Sequence, residues 1–224
     1  MTVITISRQY GSGGVAVAAR VCELLGYRYF DKNLMAEVAS RAGLSEGEVI
    51  DLSEVNFKSQ SILNRLVSLL TTPAAQTPLT VAQASSWRRD ATGAQLKQVE
   101  QLSEQQAVSL MEQTMHAAYQ VGNVVIVGRG GQAALRDMPG VLHVRIEAPL
   151  AVRIQRVAEA TRVSSSEAEK SINEHDKASA GYVKRFYKID WSDPLLYHLI
   201  INMGVWKIAS AARLIADAAK YILE

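Results

Sequence analysis

The stretch "TVITISRQYGSGGVAVAARVCELLG" limits the possible folds more than any other part of the chain. Its first residues are β-branched and alternate, as a buried strand requires, and Val17, Val21, Leu24 and Leu25 recur at helical spacing. Between them lie Gly11, Ser12, Gly13 and Gly14, four small residues at the start of a helix. Backbone N–H groups gathered in one concavity at a helix N-terminus bind phosphate, so these four are the candidate cofactor-binding residues. Against the pattern G-x-x-x-x-G-K-[ST], Arg8 stands at the first glycine, Gly14 at the lysine and Val15 at the magnesium-holding hydroxyl. "GSGGVA" also satisfies G-x-G-x-x-A with Asp31 further on, so dinucleotide binding is a rival, disfavoured by the long lead-in of Ser7, Arg8, Gln9 and Tyr10.

The same alternation of strand and helix continues along the chain. "YRYF" reads as a short second strand after Gly26 closes the first helix, with Asp31 at the hand-over to the next helix as a cap, a ligand group or both. Ser45 with Glu48 is a capping box, a further helix covers about residues 59–70, and the proline-bearing 73–94 segment is a loop or hinge. Val99, Leu102, Val108, Met111 and Met115 predict one long helix over about residues 96–119. "NVVIVG" and "VLHVRIEA" are near-continuous apolar strands of the kind covered on both faces. "PLAVRIQRVAEA" and residues 164–188 are helical, "LLYHLIIN" is a last strand, and about residues 207–222 close the chain as a helix. The expected fold is a doubly wound α/β domain with a parallel five-stranded sheet. At 224 residues with 48% apolar content, one domain with an appended subdomain is the simplest organisation.

A formal net charge of +2 gives no global field for nucleic acid or an anionic membrane. Cys22 is the only cysteine, which excludes an intramolecular disulfide and a thiolate metal cluster and favours a reducing compartment. The N-terminus lacks a basic, then apolar, leader pattern and no apolar run is long enough to span a bilayer, so a cytoplasmic location is expected. His116, His143, His175 and His198 have no ligand spacing, so no protein-held metal is expected.

"ISRQYGSGG", "LGYRYFDKNL", "VVIVGRGG", "VLHVRIEAPLAVRIQRV" and "DWSDPLLYHLIIN" resemble the cytidylate kinase-like family of P-loop nucleotide kinases, over nearly the whole chain. In that family the loop reads S-R-x-x-G-S-G-G, so Gly14 matches the family pattern. The resemblance implies a P-loop kinase-like core of about residues 1–44, 122–160 and 190–224, a helical acceptor-side region of about 45–121 and a helical lid of about 161–189. It implies ATP, with Mg2+ carried by the nucleotide, and transfer of the γ-phosphoryl to a CMP- or dCMP-like nucleotide or another small acceptor. A homodimer is compatible with it. It would place Asp31 near the monophosphate, Arg129 near the transferred phosphate, and Arg153 with Arg156 at the lid base, with Arg8 and Arg129 candidates to replace the lysine. The chain departs from true cytidylate kinases where Glu37 stands for a monophosphate-gripping arginine and Ser179 for a lid arginine. A nucleotide-binding regulatory module without turnover is therefore the alternative.

Arg153 and Arg156 share one helix face and can act on one anion, or belong to a solvated face. In the basic stretch "KASAGYVKRFYK", Lys177, Lys184 and Arg185 are candidate acceptor-binding groups, and Lys177, Lys184 and Lys188 share one side if it is helical. A solvated face is the other reading.

Overall fold

A computed structural model describes residues 2–30 and 104–222. Asp31, Glu37, the helices expected at 45 and 59–70, and the 73–94 loop lie outside the described residues. β1 (Val3–Arg8), β2 (Arg28–Tyr29), β3 (Val124–Val127), β4 (Val141–Glu147) and β5 (Leu199–Asn202) form one all-parallel sheet in the order β2-β3-β1-β4-β5. This is the expected doubly wound α/β arrangement. Parallel pairing puts all strand C-termini on one edge, and β1 sits where the chain turns from one side of the sheet to the other, the position at which such sheets hold ligands.

Both faces of the sheet are covered. On one, α1 (Gly14–Leu25) and α6 (Ile208–Tyr221) bury Val17, Ala18 and Val21 with Ala211, Ala212, Ile215 and Ala219 against Ile4, Ile6, Val144 and Ile146. The alanines on α6 let the two helices approach closely. Gly26 ends α1 in the left-handed conformation. Cys22 packs half-buried against this core, and burial pushes its thiol up to about 11, which makes it a packing residue at neutral pH.

On the other face, α2 (Glu104–Val121) sets Met111, Met115 and Ala118 against Val3, Phe30, Val124, Ile126 and Leu135, the last following the short α3 (Gly131–Ala134). The expected stripe holds for Val108, Met111 and Met115, all buried, while Val99 and Leu102 lie outside the described residues. α4 (Leu150–Thr161) and α5 (Ser165–Tyr187) pack on each other through Val157, Ala168 and Ile172. Ser164 caps α5 with Glu167 returning the bond, a capping box of the S-x-x-E kind. Among the described residues no helix is long and apolar enough to cross a membrane.

β4 differs from a purely apolar strand. Leu142, Val144 and Ile146 face α1 and α6, whereas His143 and Arg145 are buried on the opposite face, at 2% and 3% exposure. Segment 188–198, with its short 3-10 turn Pro194–Leu196, covers them in place of a helix and supplies polar partners.

Candidate functional site

The loop after β1 is held open by its own backbone. Gln9 N–H donates to the Ile146 carbonyl and Ser12 N–H to the Gln9 carbonyl, while the Gln9 side chain accepts from Ala148 N–H. Gly11 and Gly13 adopt φ +78 and +89, a region that favours glycine, and Gly13 begins α1 without a side-chain cap. The first-turn N–H groups of α1 have no acceptor within the helix, so they stand available to an anion. Ser12 is fully buried and its Oγ has no partner among the described residues. These features fit the binding of phosphate groups at residues 11 to 14.

The fate of the lysine position is visible in the packing. A side chain at Gly14 would meet Arg8 Cβ at 2.8 Å and Arg8 Cδ at 3.2 Å, so the two positions exclude one another. A lysine at 14 has no room while an arginine occupies 8. The Arg8 guanidinium runs along the strand ends towards the loop after β3, where a side chain at Gly128 would meet its Nη1 at 2.8 Å. Burial lowers the Arg8 pKa, partly opposed by Tyr29, and no carboxylate pairs with it among the described residues. Arginine stays charged at neutral pH, so Arg8 is a buried cation with no carboxylate partner among the described residues.

Arg129 stands in that second loop, with Gly128, Arg129 and Gly130 at φ +72, +57 and +73. A non-glycine residue in this conformation costs roughly 1 kcal/mol, which the surrounding contacts must over-determine. Its Nη1 donates to the Phe30 carbonyl and its guanidinium lies 5.3 Å over the Phe30 ring. Arg129 is thereby fixed to the end of β2, one residue before Asp31. Gly130 is walled by α5, where a side chain would meet the Tyr187 ring at 2.7 Å and the Tyr182 ring at 3.2 Å.

Arg156 donates from Nη1 to the Ser12 carbonyl and from Nη2 to the Met203 carbonyl, tying the loop to the turn after β5 with no carboxylate partner among the described residues. Arg153 does something else, which corrects the expectation that the two share one anion. It is 7% exposed, and its donors go to Asp176, the Tyr10 carbonyl and the Ala148 carbonyl. Three residues apart on α4, both arginines bond loop carbonyls, Arg156 that of Ser12 and Arg153 that of Tyr10, but only Arg153 is paired with a carboxylate among the described residues.

The cations of α5 are also split. Lys177 and Arg185 line a groove along α5 together with Glu169, Glu174, Tyr182 and Phe186, so its described wall carries both signs of charge. Lys184 is exposed outside that groove. Lys188 leaves the common side, because it is the left-handed cap of α5 and folds its Nζ back on the Arg185 carbonyl. Among the described residues no group of three His, Cys, Asp or Glu side chains is gathered for a metal ion, and Val15, 51% exposed, offers no oxygen at the hydroxyl position.

Sequence reasoning missed Asp176 as a partner of the loop, the two tyrosines behind Gly130, and the Arg145 cluster. The Ser164-x-x-Glu167 box was a local signal for the start of α5. The others had none, because their partners lie far away in the chain.

Residues 3–205 match the Cytidylate kinase-like family. The chain belongs to that family. Relatives similar to it include the cytidylate kinases of Aeropyrum pernix, 31% identical over 44% of this chain and 57% of that one, and of Pyrococcus horikoshii, 35% identical over 38% and 43%. The chain thus spans about half the length of the curated relatives it matches. An uncharacterized protein from Eubacterium ventriosum shares the fold, with a TM-score of 0.61 and 20% identity over 99% of both chains. Within the Cytidylate kinase-like family the dinucleotide alternative has no further support.

Proposed function

We propose that the chain is a nucleotide kinase that moves the γ-phosphoryl of ATP to a CMP- or dCMP-like monophosphate or another small acceptor. The observation that carries this reading is the placement of Arg8, whose guanidinium lies between the glycine loop and the Arg129 loop. Phosphoryl transfer asks little covalent work of the protein and much positioning and charge neutralisation. Residues 11 to 14 would hold the ATP phosphates on backbone N–H groups, with Arg156 bracing the loop rim. Arg8 and Arg129 would set fixed cations beside the transferred group, the role a loop lysine has elsewhere. Lys177 and Arg185, with Lys184 at the margin, would serve the acceptor, together with Asp31, which follows Phe30 in the sequence. When bound, ATP brings the phosphoryl group and Mg2+ spreads its charge. Arg153 braces the loop from behind.

The reading is tested by calorimetry of ATP with magnesium on the full chain, followed by single-turnover transfer of labelled γ-phosphoryl to CMP, dCMP and other small acceptors. Binding with transfer is the expected result, and absence of ATP binding overturns it. A second reading, a nucleotide-binding regulatory module, is favoured by the apolar Val15 at the hydroxyl position, and it predicts binding without transfer to any acceptor.

A further inference from the structure

The Tyr10 peptide, just before Gly11, is gripped at both ends by groups from distant helices. Its N–H donates to Asp176 Oδ1 at 2.8 Å, and its carbonyl accepts from Arg153 Nη1 at 3.3 Å. The same Arg153 Nη1 reaches Asp176 Oδ2 at 2.6 Å, so one carboxylate closes a ring of α5, α4 and the loop. The Tyr10 ring stacks on His175, the neighbour of Asp176, with centroids 4.0 Å apart and planes 10° from parallel. Val157 Cγ2 fills the space beside Gly11, at 2.8 Å from where a Cβ would stand. The first half of the glycine loop therefore takes its shape from α4 and α5 as well as from β1.

α5 also touches the second loop. It is one unbroken helix from Ser165 to Tyr187, and its last turns put Tyr182 and Tyr187 against Gly130, next to Arg129. A helix of this kind moves as a unit, so a shift that carries its middle, at Asp176, off the loop releases Tyr10, and a tilt that lifts its Tyr187 end releases Gly130.

We propose that Asp176 is a positioning residue through which α5, the helix expected as a lid, holds the glycine loop in its anion-binding shape. It acts through Tyr10 and Arg153 and touches no substrate. The proposal rests on the glycine loop being the phosphate site, and the experiment separates the two.

Asp176→Ala and Asp176→Asn are compared with the parent in the full chain, by amide hydrogen exchange of peptides covering residues 9–14 and by calorimetry of ATP with magnesium. Asp176→Ala should speed exchange at Tyr10 to Gly14 by roughly tenfold or more, with β4 and α6 peptides unchanged, and weaken ATP by a similar factor. Asp176→Asn keeps an oxygen for Tyr10 N–H and should recover much of the loop protection, a rescue that a purely charge-balancing role would not give. Where turnover is measured, KM for ATP should rise more than kcat falls. Parental exchange in the loop of Asp176→Ala overturns the proposal, as does uniform loss of protection across the chain with Asn no better than Ala. If the parent binds no ATP while Asp176→Ala loosens the loop selectively, the phosphate reading fails and the clamp stands.

Discussion

Arg8 and Arg145 sit one register step apart on the paired central strands β1 and β4, yet their surroundings are opposite. Arg145 donates to Glu147, the Trp191 carbonyl and the Tyr197 hydroxyl, and lies 4.3 Å over the Trp191 ring and 5.3 Å over that of Tyr197. Trp191 Nε1 in turn donates to Ser7 Oγ, which fastens the network to β1. Arg8 has no carboxylate among the described residues and lies beside an uncapped helix N-terminus. A buried charge with a full set of partners is a brace, whereas one left short of counter-charge at the strand ends is suited to an anion that arrives from outside. The difference comes from the alternation of side chains along a strand, since Ser7 and its register partner Arg145 face the polar cover of residues 188–198 and Arg8, the next residue, faces α1.

The largest effect that sharpens this contrast is expected at Arg8. Arg8→Ala should lower single-turnover transfer by about 10²- to 10³-fold, on the order of 3 to 4 kcal/mol, while ATP affinity changes less. Equal transfer by parent and variant would remove Arg8 from the chemistry, and a loss of melting temperature with proportionate loss of binding would make it a second brace.

The polar face itself responds to acid. His143 Nδ1 shares a hydrogen bond with Thr5 Oγ1, its Nε2 is buried without a partner among the described residues, and burial with nearby His198 lowers its pKa to about 4. The folded value lies below the ordinary 6.5, so the histidine is neutral in the fold and the unfolded chain takes the extra proton. Its contribution is full above pH 6.5 and falls away as pH drops towards 4, by up to about 3 kcal/mol. Urea unfolding across that window should show this slope, and His143→Gln should flatten it.

Arg145→Met breaks the brace. Glu147 is 38% exposed, so its charge stays partly solvated, and the Trp191 carbonyl keeps the Tyr197 hydroxyl as a donor, so the cost is set at about 2 kcal/mol by the lost charge-assisted bond to that carbonyl and the lost ring contacts. Chemical denaturation should show that loss while the folded protein binds ATP as the parent does. A drop in ATP affinity larger than the drop in stability would mean that the two arginines are coupled through Ser7.

The smallest expected effect is at Gly13. With φ +89 an alanine there costs about 1 kcal/mol of strain, yet the nearest atom to its Cβ is Arg156 Nη1 at 3.6 Å, so no clash adds to it. Gly13→Ala should lower the melting temperature slightly and weaken ATP more than that strain alone implies, by calorimetry. Unchanged affinity would place the nucleotide elsewhere.

Local chemistry made much of this legible in the sequence. The five strands, the glycine loop and α1, α4 and α6 follow from alternation, helical spacing and the left-handed Gly26, each a property of a few neighbouring residues. Only the second half of the expected 195–202 strand is one, because Asp193 and Pro194 open a 3-10 turn before β5 begins at Leu199. Arg129 could be singled out between two glycines, although its tie to Phe30 could not.

Sequence alone determined the α/β architecture, the candidate phosphate loop and the absence of a lysine at position 14. Tertiary structure decided why that lysine is missing, since Arg8 and Gly14 compete for one space only once β1 turns into α1. It also decided that Arg153 pairs with Asp176 behind the loop while Arg156 bonds the Ser12 carbonyl at its rim, and that Asp176, 166 positions from Tyr10, holds its peptide. Strand and helix signals are written in neighbouring residues, whereas the fate of a charged side chain depends on groups that only the folded chain brings within hydrogen-bond reach.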